Sequence, residues 1–161
     1  MPEESRSDPR PDPVAGSAPR PGGDPRPDPR ATIDAYIAAL DGETRRVALA
    51  EWGVTVDAAG WPLHVGVAIR DGLLRAQAQV IEPGRINPHD LLRWNRQIPF
   101  VRFGHTRDGE VWIQGDLPLG AVTPAELDRF LGLLVLSATQ ARQAAAAAPS
   151  ATDPAAPQTG G

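Results

Sequence analysis

The chain has 161 residues, 18 of them proline and 16 glycine, and a formal net charge of -4, enough for one domain with unstructured ends but not for two full cores. All 16 basic side chains are arginine and they are scattered; phosphate neutralisation needs a concentrated basic surface, so DNA and RNA drop out as expected partners. The absence of cysteine excludes a disulfide framework, a thiolate nucleophile and cysteine-ligated zinc, and makes the cytoplasm the expected location.

Residues 1–30 are dominated by Pro, Asp, Arg and Gly and carry the hexapeptide DPRPDP twice, from Asp8 and from Asp24. Alternating charges on a proline-rich chain bury no core and predict a hydrated, extended tail. Its opening, MPEESRSDPR, lacks the apolar stretch of an export signal. The longest apolar run, LGLLVL at Leu131 to Leu136, is far short of the ~20 residues that span a bilayer. Neither export by a standard signal nor a membrane span is expected.

The folded body is predicted over residues 31–145. ATIDAYIAALDG opens it as a helix, with Thr32 as N-cap, Ile33, Ile37 and Leu40 at helical spacing, and Gly42 as the stop. ETRRVALAE fits neither period well and could extend that helix or begin a strand; it is read here as helix. From Trp52 the period becomes two, with Trp52, Val54 and Val56 on one face and a turn at DAAG.

PLHVGVAIRDGLLRAQAQVI then reads as a hairpin. A two-residue turn at Asp71 and Gly72 pairs Ile69 with Leu74, Val67 with Ala76, Val65 with Ala78 and Leu63 with Val80. That face is wholly apolar. The opposite one receives His64, Gly66, Ala68, Arg70, Arg75, Gln77 and Gln79, with Leu73 and Ile81 adding apolar area.

NPHDLLRWNRQIP predicts a short helix with Asn87 as N-cap, Pro88 at the first position and Asp90 near the positive end of the dipole. Its Leu91, Trp94, Asn95 and Ile98 share the side that meets the sheet or its edge. FVRFGHTRDGEVWIQGDLPL reads as a second hairpin. A two-residue loop would mix apolar and charged groups on both faces. A three-residue loop with Gly109 left-handed instead opposes Phe103 to Ile113, His105 to Val111 and Val101 to Gly115. The other face then carries Arg102 opposite Gln114, Gly104 opposite Trp112 with the indole able to cover the glycine, and Thr106 opposite Glu110. His105 is expected to point to the core or its rim.

TPAELDRFLGLLVLSATQAR predicts the longest helix, capped by Thr123 and Glu126, with Leu127, Phe130, Leu131, Leu134, Val135 and Ala138 as its apolar stripe. Burying about six large side chains there contributes on the order of 10 kcal/mol before entropy is subtracted. Residues 146–161, rich in Ala and Pro, are expected to fray into a second tail. The predicted fold is therefore α+β, with a five-stranded antiparallel sheet, elements in the order α-β-β-β-α-β-β-α, and helices packed on one face.

No chemistry assembles on this frame. His64, His89 and His105 have no pairing that pre-forms a metal site. The carboxylates sit at turns and helix starts, where dipole and turn chemistry explain them, and no serine stands in a nucleophile elbow. The glycines of GEVWIQGDLPLG precede no helix start that would cradle phosphate. No enzyme activity, metal or cofactor is expected. What remains is the second sheet face, where Arg75, Gln77, Arg102, Trp112 and Gln114 project as candidate partner-binding residues, in the composition of a protein contact. A small anionic-ligand sensor built on Arg93, Arg96 or Arg102 is the alternative, since the guanidinium fork suits carboxylate or phosphate.

The motifs DLLRWN, FVRFGHTRDGEVWIQGDLPL and VTPAELDRFLGLL resemble those of the YbjN-type domain family of bacterial sensory transduction regulators, and the order of elements resembles the type III secretion chaperone-like fold. The resemblance implies an α+β fold, no cofactor, and binding rather than catalysis, with a protein partner or client and a second copy of the chain as the partners to expect. The chaperones of that fold form homodimers and hold extended client segments; the polar open face and proline-rich arm here depart from them.

Overall fold

A computed structural model describes residues 27–148. Residues 1–26 and 149–161, on which most of the two expected tails fall, lie outside the described residues. Ten elements follow in chain order: α1 (Pro29–Ala38), β1 (Glu43–Ala48), β2 (Glu51–Ala58), β3 (Trp61–Arg70), β4 (Leu73–Ile81), α2 (Pro88–Asn95), β5 (Val101–His105), β6 (Val111–Pro118), a 3-10 turn at Leu119–Ala121, and α3 (Pro124–Ala147).

The sheet is antiparallel, as expected, but has six strands in the order β1-β2-β3-β4-β6-β5. The sixth is Glu43–Ala48, the segment read as helical. Nearly every residue of it is exposed, so it shows no buried face and hence no period of two. What makes it a strand is non-local. Arg46 lies opposite Trp52, with its guanidinium 5.9 Å from the indole centroid. Asp34 of α1 accepts from Arg46 at 3.0 Å and from the Trp52 indole N–H at 2.8 Å. One carboxylate thus ties helix, edge strand and second strand together.

Helix α1 starts earlier than its expected cap. Asp28 is the N-cap, accepting from the Arg30 N–H at 3.1 Å with Pro29 in the first turn, and Thr32 instead donates its hydroxyl to the Asp28 carbonyl. The other two caps stand as read: Asn87 accepts from the His89 N–H, and Thr123 from the Glu126 N–H.

Both hairpins keep their predicted registers near the turn. Asp71 and Gly72 have φ of 52° and 75°, the two positive values a two-residue type I′ loop requires, and Ile69 faces Leu74 and Val67 faces Ala76. In the second hairpin every expected pair from Val101 and Gly115 to His105 and Val111 is present, with Gly109 at φ 89°. His105 lies at the exposed end of its strand.

The core lies between the sheet and two helices. Phe130, Leu127 and Leu134 of α3 and Ile33 of α1 are almost fully buried against Leu63, Leu74, Ile113 and Leu117. Buried Ala138, Ala141 and Ala145 continue the α3 stripe with small residues, which lets its C-terminal half approach the strands closely. Helix α2 sits beside β5, where the Trp94 and Phe103 rings meet edge to face at 5.9 Å.

Two features depart from regular pairing. Between Gln79 and Ile81 the β4–β6 register shifts. That bulge turns Ile81 inward, 6% exposed, so, against the expectation from the sequence, it adds no apolar area to the open face. In addition, β3 and β4 pair only from Gly66 and Gln77 to the turn. The predicted contacts of Val65 with Ala78 and Leu63 with Val80 are not ladder pairs, and the sheet is split there.

Candidate functional site: the open sheet face and its split

One row of residues crosses all six strands on the face away from α1 and α3: Arg45, Gly53, Gly66, Gln77, Gln114 and Arg102, each directly opposite the next. Side chains alternate across a strand, so the buried neighbours Val54, Val65, Ala76, Ala78, Ile113 and Phe103 fix this row on the outer face. Its floor is bare at Gly66, where an added Cβ would meet only the Gln77 carbonyl at 3.9 Å; at Gly53 the Arg45 side chain already lies over the backbone.

The structure brings all five candidate residues to this face. Gln77, Gln114 and Arg102 are consecutive in the row. Trp112 stands in the next row between Gln79 and Gly104, half-buried, and donates its indole N–H to Glu110 at 3.3 Å. It does not cover Gly104, whose Cβ position has nothing within 4 Å. Arg75 is held by Asp116 at 3.4 Å and Asp71 at 3.8 Å, and Arg70 by Glu51. Arg45 and Arg102 have no ion-pair partner among the described residues, so the face carries an uncompensated guanidinium near each edge and neutral amides between.

Arg93, Arg96 and Arg102 do not form one site. Arg93 lies on α2, 3.8 Å from Asp90, Arg96 is the C-cap of that helix, and Arg102 stands on the open face of β5. Among the described residues no group of three His, Asp or Glu side chains is placed to hold a metal ion.

The residue sequence reasoning missed is Arg142. From α3 it donates to four backbone carbonyls: Val80 of β4 at 3.0 Å, Ala58 at 3.1 Å, Trp61 at 3.0 Å and Pro62 at 3.3 Å. These acceptors flank the split, so one guanidinium bridges strands whose ladder has ended. A planar fork of five donors suits this, where an ammonium would not reach all four. Burial lowers the Arg142 pKa from its ordinary value and the Asp57 carboxylate acts the other way. The one available signal was a single cation in the alanine-rich end of α3. Beside it the split opens a cleft of about 500 Å³, lined by His64, Gly66, Gln77, Gln79, Glu82 and Trp112.

The three motifs singled out in the sequence lie in α2, β5, β6 and α3, and that block is where a family match falls. Residues 88–147 match the YbjN family model. Its description is "Putative bacterial sensory transduction regulator". The YbjN match begins at the first residue of α2 and ends at the last of α3, leaving α1 and β1 to β4 outside it.

No curated protein matches the chain. Solved structures do. A chain of the complex between the Yersinia pestis type III secretion chaperone SycH and a stable fragment of YscM2 is 19% identical, with 70% of this chain and 98% of that one covered, at a TM-score of 0.50. A chain of the HopA1-SchA chaperone-effector complex is 12% identical, with 70% and 91% covered and a TM-score of 0.55. A chain of the heterodimeric ExoU-SpcU complex from the type III secretion system of Pseudomonas aeruginosa is 13% identical, with 70% and 96% covered, at 0.50. At these identities the likeness is one of fold. Both parts of the resemblance read from the sequence, YbjN motifs and a type III secretion chaperone-like fold, are therefore present. No helix among the described residues is long and apolar enough to cross a membrane.

Proposed function

We propose that this protein is a non-catalytic, cytoplasmic protein-binding module, chaperone-like or regulatory, whose open sheet face receives an extended segment of a protein partner. The observation that carries the reading is the row from Arg45 to Arg102, uncovered by any described helix, with a bare glycine floor at Gly66, two central amides and, near its edges, guanidinium groups without an ion-pair partner among the described residues. Backbone and carboxylate groups of an extended chain match amides and arginine forks. Trp112 supplies the rigid aromatic anchor such contacts favour. Two solved structures of like fold, one described as a chaperone in complex with a stable fragment of YscM2 and one as a chaperone-effector complex, support the same direction.

The test is affinity capture from the native cell with the intact chain and with Arg102→Ala/Trp112→Ala, read by mass spectrometry. A partner enriched by the intact chain and lost at least tenfold with the double variant, at an unchanged thermal midpoint, supports the face. Equal recovery with both sinks it.

A further inference from the structure

On the helix side of the sheet, between α1, α3 and the strands β2 and β3, the core is not filled. A cavity of about 240 Å³ remains there. Its floor is made by Val54, Val65 and Leu134, which are 5%, 4% and 0% exposed, and its walls by the half-buried Leu40, Val56 and Val135. Packed interiors leave few voids larger than a water molecule. This one stays open at Gly132 of α3, which lines it without a side chain and where an added Cβ would meet nothing within 4 Å.

The rim is polar at one place. Tyr36 and Asp128 line the cavity as well, and the phenol donates to Asp128 Oδ1 at 3.2 Å. Among the described residues Asp128 is the only charged side chain on the lining, its Oδ2 receives no hydrogen bond, and its carboxylate has no ion-pair partner. The neighbouring Arg129 does not neutralise it, because that guanidinium lies 4.8 Å above the Phe100 ring.

We propose that this cavity is a binding site for a small protonated amine with an apolar body, an alkylammonium or arylalkylammonium, whose body lies over Val54, Val65 and Leu134 and whose ammonium meets Asp128 and the Tyr36 oxygen at the rim. Size sets the body. An apolar cavity of about 150 Å³ holds benzene, so the larger space here takes a chain or ring of roughly six to eight carbons. Charge sets the head. An anion of the same shape would meet the Asp128 carboxylate with like charge, and a plain hydrocarbon would leave that carboxylate without a counter-ion. Val54 and Val65 point to the face opposite the Arg45-to-Arg102 row, so the site is separate from the open face and independent of the partner reading given to it.

The test titrates the intact chain, carbon-13 labelled at its Val and Leu methyl groups, with butylamine, hexylamine, hexanol and hexanoate at neutral pH. Hexylamine should shift the Val54, Val65 and Leu134 methyls saturably while those of Val101 and Val111 stay in place. It should bind about tenfold tighter than butylamine, since each buried methylene multiplies affinity by roughly four. It should also bind about two- to fivefold tighter than hexanol, the range of an exposed ion pair, with hexanoate weakest. In Asp128→Asn, an exposed change that leaves the cavity walls intact, hexylamine and hexanol should bind alike. The proposal is overturned if those three residues' methyls show no saturable shift at tens of millimolar hexylamine. Hexanol or hexanoate binding as tightly as hexylamine overturns it too, as does an Asp128→Asn chain that keeps the preference for the amine.

Discussion

Asn95 satisfies both backbone groups of Phe103: its Oδ1 accepts the Phe103 N–H at 2.7 Å and its Nδ2 donates to the Phe103 carbonyl at 2.9 Å. Phe103 faces Ile113 across β5 and β6, and with both of its groups turned outward that is a non-hydrogen-bonded pair. A side-chain amide thus stands where a seventh strand would bind, closing one edge of the sheet against strand addition.

Asn95→Ala should therefore do two things. Two net hydrogen bonds and a part-buried donor are lost, a destabilisation of about 2 kcal/mol, visible as a lower urea midpoint at unchanged m value. The freed β5 edge should also self-associate, so size-exclusion elution should become concentration-dependent. A variant with the parent midpoint would refute the bridging role.

Arg142→Ala removes the donor shared by four carbonyls across the split. Charge-assisted bonds of this sort, partly wet, predict a loss of about 2–4 kcal/mol. Amide exchange should accelerate in residues 58–65 and 78–82 before it does in α1. Arg142→Lys should recover less than half of the loss, since an ammonium has no planar fork.

Two glycines on the second hairpin should respond oppositely to alanine. A Cβ at Gly115 would stand 2.7 Å from the Phe100 carbonyl and 2.7 Å from a ring carbon of Phe130. Phe100 itself has φ 65° and is spanned by the Val101 N–H to Pro99 carbonyl bond at 2.8 Å, a tight γ-turn that aims its carbonyl at Gly115. Gly115→Ala should cost about 1–3 kcal/mol. Gly104→Ala enters open space without a positive φ and should stabilise by about 0.5 kcal/mol through the unfolded chain. Thermal melts of the pair check both signs.

Tyr36 is the single tyrosine of the chain, so its ionisation can be read from tyrosinate absorbance. Burial first, then the Asp128 charge and the hydrogen bond from the phenol to Asp128 at 3.2 Å, push its pKa up from 10.0 to about 12. The folded state holds this proton more tightly than the unfolded state. Its contribution is thus complete below pH 10 and is lost as the pH rises from 10 towards 12. Tyr36→Phe should flatten that alkaline limb of stability, and Asp128→Asn should bring the titration back towards 10. An absorbance midpoint near 10 in the parent chain would contradict the Asp128 contact.

Features that act locally could be read from the chain alone. Turn chemistry at Asp71-Gly72 and at Gly109, alternation in β2 to β6, and the Asn87 and Thr123 caps all act over a few residues, and they were legible because each has a period or a steric requirement of its own. They also determined which side chains share the open face, since register follows from the turn. Tertiary structure alone decided the rest. Edge strand β1 has no buried face to give it a period, and only Trp52 and Asp34, brought near by the fold, make Glu43–Ala48 a strand. The bulge at Gln79, the split beyond Gly66 and the Arg142 bridge arise where α3 packs across strands some 60 to 80 residues away in sequence. Backbone carbonyls left by a broken ladder must find donors, and no pattern within a short window says which side chain will supply them.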